Sequence, residues 1–270
     1  MTRRVFAGLS ASFAVSRAQK SLDILEMPPP NADARIRYGE DPFQFGDLRL
    51  PRGRGPHPVV IYIHGGFWKA AYSLEHAGHA CAALTRDGAV TWSLEYRRIG
   101  NPGGGWPGTC EDVTSGAAHL HRLASKYALD LDRVVVAGHS AGGHLACWLA
   151  AQGSVKLRRV VSLAGVVDLR RAWELRLSSE IVAKFLSGSP QEAAEHYRAA
   201  DPMELLPIRV PQRLIHGRLD DTVPIEISER FAKASRNAEL IRIADAGHFE
   251  LIDPRTEAWN VVKKAVLDWS

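Results

Sequence analysis

Cysteine is scarce. Three residues in 270, Cys81, Cys110 and Cys147, are too few and odd in number for a disulfide framework. Each falls in a segment that reads as helix or lies beside one, so the expectation is small buried apolar side chains. Long hydrophobic runs are also missing: no stretch reaches the roughly 18 consecutive apolar residues of a membrane span. Charge of one sign is not in excess, since 34 Lys and Arg stand against 30 Asp and Glu. The basic pairs Arg97-Arg98, Arg158-Arg159 and Arg170-Arg171 are scattered, with no aromatic-basic stripe, so the footprint of a nucleic-acid binder is lacking. Internal repeats and low-complexity linkers are lacking too. What remains is a chain of 270 residues with 46% hydrophobic content, enough for the core of one large α/β domain.

The first eighteen residues are set apart. Thr2-Arg3-Arg4-Val5-Phe6-Ala7 resembles a twin-arginine export signal, a weakly apolar stretch from Ala7 to Val15 follows, and Ser16-Arg17-Ala18 ends it. The expectation is export, with a cytoplasmic location as the alternative, and one folded domain over residues 19–270.

From Asp33 the pattern is that of a folded domain. Arg35–Tyr38 and Phe43–Leu50 alternate as short antiparallel strands, and Val59–Ile63 is a continuous apolar run suited to a strand buried on both faces. Ser73–Arg86 reads as a helix, Ala89–Leu94 as a strand, and Thr109–Lys126 as one long helix. Strands follow near Val134–Val136, Arg159–Ala164, Arg213–His216 and Glu239–Ile243, and helices at Ile225–Ser235 and Pro254–Trp269. Strands alternating with helices predict an α/β fold, with a mostly parallel twisted sheet covered by helices on both faces. The segment of about 165–211 lacks a strand pattern and is rich in helix formers and charge, which predicts a small helical lid.

Reactive side chains of such sheets gather in loops at the carboxyl ends of the strands. Gly138-His139-Ser140-Ala141-Gly142 lies between a β-branched run and an alanine-rich helical segment. A serine forced into that turn exposes its Oγ at a helix N-terminus, and glycines two places to either side let the backbones pass. A serine hydroxyl is a poor nucleophile unless a base takes its proton, and the base needs an acid to fix its tautomer. Later strand ends supply Asp220 and Asp221 as acids, then His248 in Ala246-Gly247-His248. Among eleven histidines, His248 alone sits in the loop directly after the last strand. His64 and His216 are expected to shape loops. His139 and His144 flank the nucleophile. His76/His79 and His119/His121 lack the acidic or cysteinyl partners that a metal site needs, so neither a metal nor another cofactor is expected.

From about Asp33 onward the chain resembles an α/β-hydrolase of the hormone-sensitive-lipase-like and acetyl-esterase group. The residues that carry the likeness are His64-Gly65-Gly66, Tyr96-Arg97 with Trp106-Pro107 and Asp112, Gly138-His139-Ser140-Ala141-Gly142-Gly143, and the Asp-x-x-Val-Pro and Gly-His motifs. That group usually has a third glycine where this chain has Phe67. His-Gly-Gly-x-Trp is instead similar to the motif of kynurenine formamidases. The resemblance implies Asp220 as the acid, since it precedes x-x-Val-Pro. It implies a small-molecule ester as substrate, cleaved through an acyl-enzyme, with an N-formylkynurenine-like amide as the alternative. A small serine exopeptidase or a non-catalytic binding protein fits less well. The oxyanion donors expected are the backbone N–H groups of Ala141 and of Gly65, Gly66 or Phe67. Trp68, Trp106 and His139 are the expected substrate-binding side chains.

Overall fold

The computed structural model describes residues 23–270, so the twin-arginine expectation for residues 1–18 lies outside the described residues. Eight strands form one sheet: β1 (Ala34–Arg37), β2 (Phe45–Arg49), β3 (His57–Ile63), β4 (Val90–Leu94), β5 (Leu129–His139), β6 (Arg159–Leu163), β7 (Gln212–Gly217) and β8 (Ala238–Ile243). Their spatial order is β1-β2-β4-β3-β5-β6-β7-β8. The β1–β2 and β2–β4 pairings are antiparallel and every later pairing is parallel. This is the mostly parallel α/β sheet that the sequence predicts.

Side-chain alternation divides the core. Val59, Ile61 and Ile63 of β3 join one apolar cluster, while Val60 and Tyr62 join the other. All five are 0% exposed, which is why this strand reads as an unbroken apolar run. On the first face pack α2 (Gly108–Ala118), α4 (Ala141–Gln152) and α8 (Glu226–Ala234). On the second pack α1 (Gly78–Arg86) and α9 (Glu257–Val266).

Two of the expected helices are divided. The single helix foreseen over Thr109–Lys126 is broken at His119 into α2 and α3 (Leu120–Ala124). The break coincides with a side-chain demand on the helix backbone, because the Gly116 carbonyl accepts the indole N–H of Trp92 at 2.8 Å. Ser73–Arg86 begins with a 3-10 turn, Leu74–Ala77, capped by the Ser73 hydroxyl, before α1 starts. Between β6 and β7 lie three short helices, α5 (Leu169–Glu174), α6 (Ile181–Leu186) and α7 (Ala194–Ala200).

Among the described residues no helix is long and apolar enough to cross a membrane. The three cysteines are free and buried. Burial pushes the thiols of Cys81 and Cys147 up to about 11 and about 12.

Candidate active site

Ser140 lies between the last residue of β5 and the first of α4, with φ 57° and ψ −120°. A non-glycine residue in that region costs about 1–3 kcal/mol and persists only where its surroundings over-determine it. Here they do. Ser140 N donates to Leu163 O at 2.8 Å, while its own carbonyl accepts from Gly143 N at 2.9 Å and Val166 N at 3.3 Å. The flanking glycines have separate steric causes. A Cβ on Gly138 would overlap the Gly142 carbonyl, and one on Gly142 would overlap the carbonyls of Ile63 and His64. The second contact sets the turn directly against the loop that leaves β3.

That loop, Gly65-Gly66-Phe67, is the expected oxyanion loop. Phe67 and Trp68 both adopt positive φ, 49° and 55°. The loop's own main-chain hydrogen bonds run from Lys69 N to Gly66 O and from Ile99 N to Trp68 O. Neither draws on the N–H of Gly65, Gly66 or Phe67. Ala141, as the first residue of α4, likewise has an N–H without an intrahelical acceptor. A Cβ built on Gly65 would lie 3.1 Å from the Ser140 Cβ, so the loop and the serine are in contact distance.

The loop is held from beneath by His64 and Tyr96, together with Glu95 and Arg98, for which the sequence suggested no role. His64 Nδ1 lies 2.8 Å from Gly65 O and its Nε2 3.0 Å from Glu95 Oε1. Its ring stacks on Tyr96, whose hydroxyl donates to His64 O at 2.9 Å. Arg98 pairs with Glu95 at 3.1 Å, and Leu74 N donates to Glu95 Oε2 at 3.0 Å. Burial pushes the Glu95 carboxyl up, but His64, Arg98 and the Leu74 N–H outweigh it and hold it below its ordinary value. The available signal was position alone: Glu95 follows a buried strand that ends on the site's side of the sheet. Farther along, Arg97 forks onto Asp112 at 2.6 and 2.8 Å, and Gln44 donates to the same carboxylate. The Tyr96-Arg97 and Asp112 signatures therefore act as scaffold.

The loops after β7 and β8 bring Asp220 and His248 together. His248 Nδ1 lies 2.7 Å from Asp220 Oδ2, with both side chains almost wholly buried. Asp220 Oδ1 accepts from Thr222 N at 2.9 Å and Val223 N at 2.8 Å. His216 Nε2 stands 3.2 Å from Asp220 Oδ2, and its Nδ1 is 2.8 Å from Ser228 Oγ. Burial pushes the Asp220 carboxyl up, but the hydrogen bonds from His216, His248 and Val223 overcome it and leave it well below the usual carboxylate range. Asp221 accepts from the Thr222 hydroxyl at 3.2 Å and, among the described residues, forms no hydrogen bond with this cluster. Glu250 accepts from Gly247 N at 3.0 Å and so shapes the His248 loop. The His248 carbonyl in turn accepts from His139 Nε2 at 3.0 Å, which fixes the base loop beside the residue preceding Ser140.

The other expected side chains go elsewhere. Trp68 is fully buried, stacked on Phe185 of α6 with ring centroids 4.6 Å apart and edge-on to His144 at 5.2 Å. Trp106 packs edge-on against Trp148 at 6.1 Å and borders a cleft of about 290 Å³ with Cys110, Glu111 and Ser115. Trp148 is two helical turns along α4 from Ser140, about 12 Å at 1.5 Å per residue. His139 is 0% exposed and lies behind His248. Both indoles thus pack against other aromatic rings, and His139 presents no open surface to a ligand.

A serine in the sharp turn after β5, an aspartate after β7 and a histidine after β8, on this strand order, are the arrangement of an α/β-hydrolase fold. The chain belongs to the BD-FAE family, whose model matches residues 47–234. It is 28% identical over 248 residues to Esterase LipC of Mycobacterium tuberculosis, covering 81% of this chain and 60% of that protein. It is 24% identical over 249 residues to the kynurenine formamidase of Danio rerio, covering 86% of this chain and 80% of that one. The match thus spans less than two thirds of Esterase LipC and most of the formamidase. Esterase B of Lactobacillus rhamnosis shares the fold with a TM-score of 0.76 at 21% identity, covering 97% of this chain and 94% of that one.

Proposed function

We propose that this chain is a serine hydrolase that cleaves small carboxylic esters through an acyl-enzyme. The observation that carries the reading is the buried Asp220–His248 pair at 2.7 Å, tied through the His248 carbonyl to the residue next to Ser140. The Asp220 carboxylate accepts the Nδ1–H of His248, so Nε2 keeps its lone pair and is free to take the Ser140 proton. Ser140 Oγ then bonds to the ester carbonyl carbon, and the carbonyl oxygen becomes an oxyanion facing the N–H groups of Ala141 and the Gly65–Phe67 loop. The C–O bond to the alcohol breaks as His248 returns the proton to that alcohol. Water, deprotonated by His248, attacks the acyl carbon, and Ser140 leaves with the proton. The segment between β6 and β7 is short, three helices of six or seven residues, which favours small soluble esters over long-chain lipids.

Arylformamidase activity is the second reading. Its specific support is His64-Gly65-Gly66-Phe67-Trp68 together with the similarity to a formamidase over 80% of that protein's length. The same residues would attack a formyl carbon and release formate and an arylamine. Side-by-side kcat/KM on short-chain p-nitrophenyl esters and N-formylkynurenine separates the two, and ester turnover negligible beside formamide turnover would displace the first reading. Common to both is Ser140 as nucleophile. A fluorophosphonate probe should label the wild type and leave Ser140→Ala unmarked, and an undiminished adduct in that variant would sink the mechanism. Export is proposed on the likeness of Thr2–Ala7 to a twin-arginine signal and the weakly apolar stretch Ala7–Val15 that follows it. A fusion of residues 1–40 to a reporter should leave the cytoplasm and should stay there when Arg3→Lys and Arg4→Lys are combined.

A further inference from the structure

Two histidines without a role in the proton transfers above form a chain that ends on the base. His76 Nε2 lies 3.1 Å from His139 Nδ1, and His139 Nε2 lies 3.0 Å from the His248 carbonyl oxygen. A carbonyl oxygen only accepts, so His139 Nε2 carries the hydrogen. Burial, together with repulsion from the His248 and His76 rings, holds His139 well below its ordinary value, so the ring is neutral near pH 7. Its Nδ1 is then a lone pair, which requires a hydrogen on His76 Nε2. His76 is itself lowered to about 3 by burial and by His64 and His248, so His76 Nδ1 is bare. That atom is buried and has no hydrogen-bond partner. One assignment of protons satisfies both contacts: His76 Nε2–H to His139 Nδ1, and His139 Nε2–H to the oxygen of His248.

We infer that His139 is a positioning residue for His248, clamping the main chain of the base loop, and that His76 fixes the tautomer His139 needs to do so. The inference rests on the serine-hydrolase reading. The His139 ring also packs 4.5 Å from the His248 ring, with Phe249 against both. On the other side, a Cβ on Gly65 would come within 3.1 Å of His139 Nδ1 and 2.9 Å of His139 O, so this imidazole stands between the oxyanion loop and the base loop. The titratable groups facing the pair are His248 and Asp220 on one side and His64 on the other. Neutrality matters because His248 becomes an imidazolium during acyl transfer, and a second cation beside it would oppose that charge. A base displaced by an ångström from its reacting partner loses rate, on the order of 10²-fold, without losing substrate affinity.

The test combines ring ¹⁵N shifts with kinetics. In the wild type, His139 and His76 should both show the Nε2–H tautomer near pH 7; an Nδ1–H signature for His139 overturns the clamp. His139→Leu should lower kcat about 10²-fold with KM unchanged, and His139→Gln, whose side-chain amide can still donate to the His248 carbonyl, should recover most of that loss. Wild-type kcat in a folded His139→Leu, or a Gln variant no better than Leu, overturns the proposal. Should His139→Leu fail to fold, His76→Leu decides: it should lower kcat while His76→Gln restores it, and unchanged turnover in His76→Leu counts against the clamp. The ¹⁵N tautomers are read without any substrate. A wild type that takes no fluorophosphonate label therefore removes the hydrolase reading, while the tautomers still decide the proton assignment.

Discussion

Asp220 divides its two oxygens between two tasks. Oδ1 is spent on the backbone of Thr222 and Val223, and Oδ2 meets His248 and His216. An amide cannot do both, because Asn would turn an N–H₂ toward His248 Nδ1 and favour the tautomer whose Nε2 already carries hydrogen. Asp220→Asn should therefore lower kcat by about 10⁴-fold with little change in KM, read from steady-state kinetics; Asp221→Asn should leave kcat near the wild-type value. The depressed Asp220 carboxyl also sets a sign for stability. A carboxylate whose pKa is lower folded than unfolded stabilises the fold above its unfolded pKa and loses that contribution as pH falls through the folded one. The stability gap between wild type and Asp220→Asn should therefore be widest near neutrality and close in strong acid, as urea titrations at a series of pH values would show.

At the scale of elements, the junction of β5 and α4 admits no extra atom. Gly142 meets the carbonyls that leave β3, so Gly142→Ala must push the turn away from the oxyanion loop or strain both. The expected result is a folded but destabilised protein whose fluorophosphonate labelling slows more than its thermal midpoint falls. The helices between β6 and β7 carry their own titrating joint. Asp201 caps the end of α7, yet its Oδ2 accepts from Arg170 N at the start of α5 and its Oδ1 from Met203 N. Burial, aided by the nearby Asp168 carboxylate, raises it to about 7, although backbone N–H groups act against the shift. A carboxyl whose folded pKa lies above its unfolded value of about 3.9 favours the fold when protonated. This group's stabilising contribution is thus complete below pH 4 and is lost as pH rises toward 7. Melting temperatures across that window should show the decline in the wild type and a flatter profile in Asp201→Asn.

At the scale of the molecule, one sheet separates two apolar clusters that do not share side chains. Ile227 of α8 lies in one and Ile252 in the other, both essentially inaccessible. Ile227→Val and Ile252→Val should each cost about 1 kcal/mol, and the double variant should match their sum within about 0.5 kcal/mol. A larger deviation in denaturant titrations would mean that the sheet transmits packing changes between its faces. The loops that assemble the site hang from the ends of β3, β5, β7 and β8 on this common frame, so a loss of a few kcal/mol in either cluster should lower the folded fraction before it alters kcat.

The sequence by itself determined the alternation of strands and helices, the strained serine turn, and the order in which Ser140, Asp220 and His248 follow one another. These are local matters: hydrophobic period, β-branched runs and glycine spacing each act within about ten residues. Contacts between distant segments were decided only by the tertiary structure. Spacing alone offered Asp220 and Asp221 as neighbours in one turn and the family likeness favoured Asp220; the contact itself exists only because β8 carries His248 to 2.7 Å from Asp220. Trp68 sits in a strand-end loop, and nothing local revealed that Phe185, more than a hundred residues later, would cover it. His76 read only as half of a pair with His79 that lacks the partners of a metal site. It became the partner of His139 because β3 and β5 are neighbours in the sheet and the turn before α1 folds back over their ends.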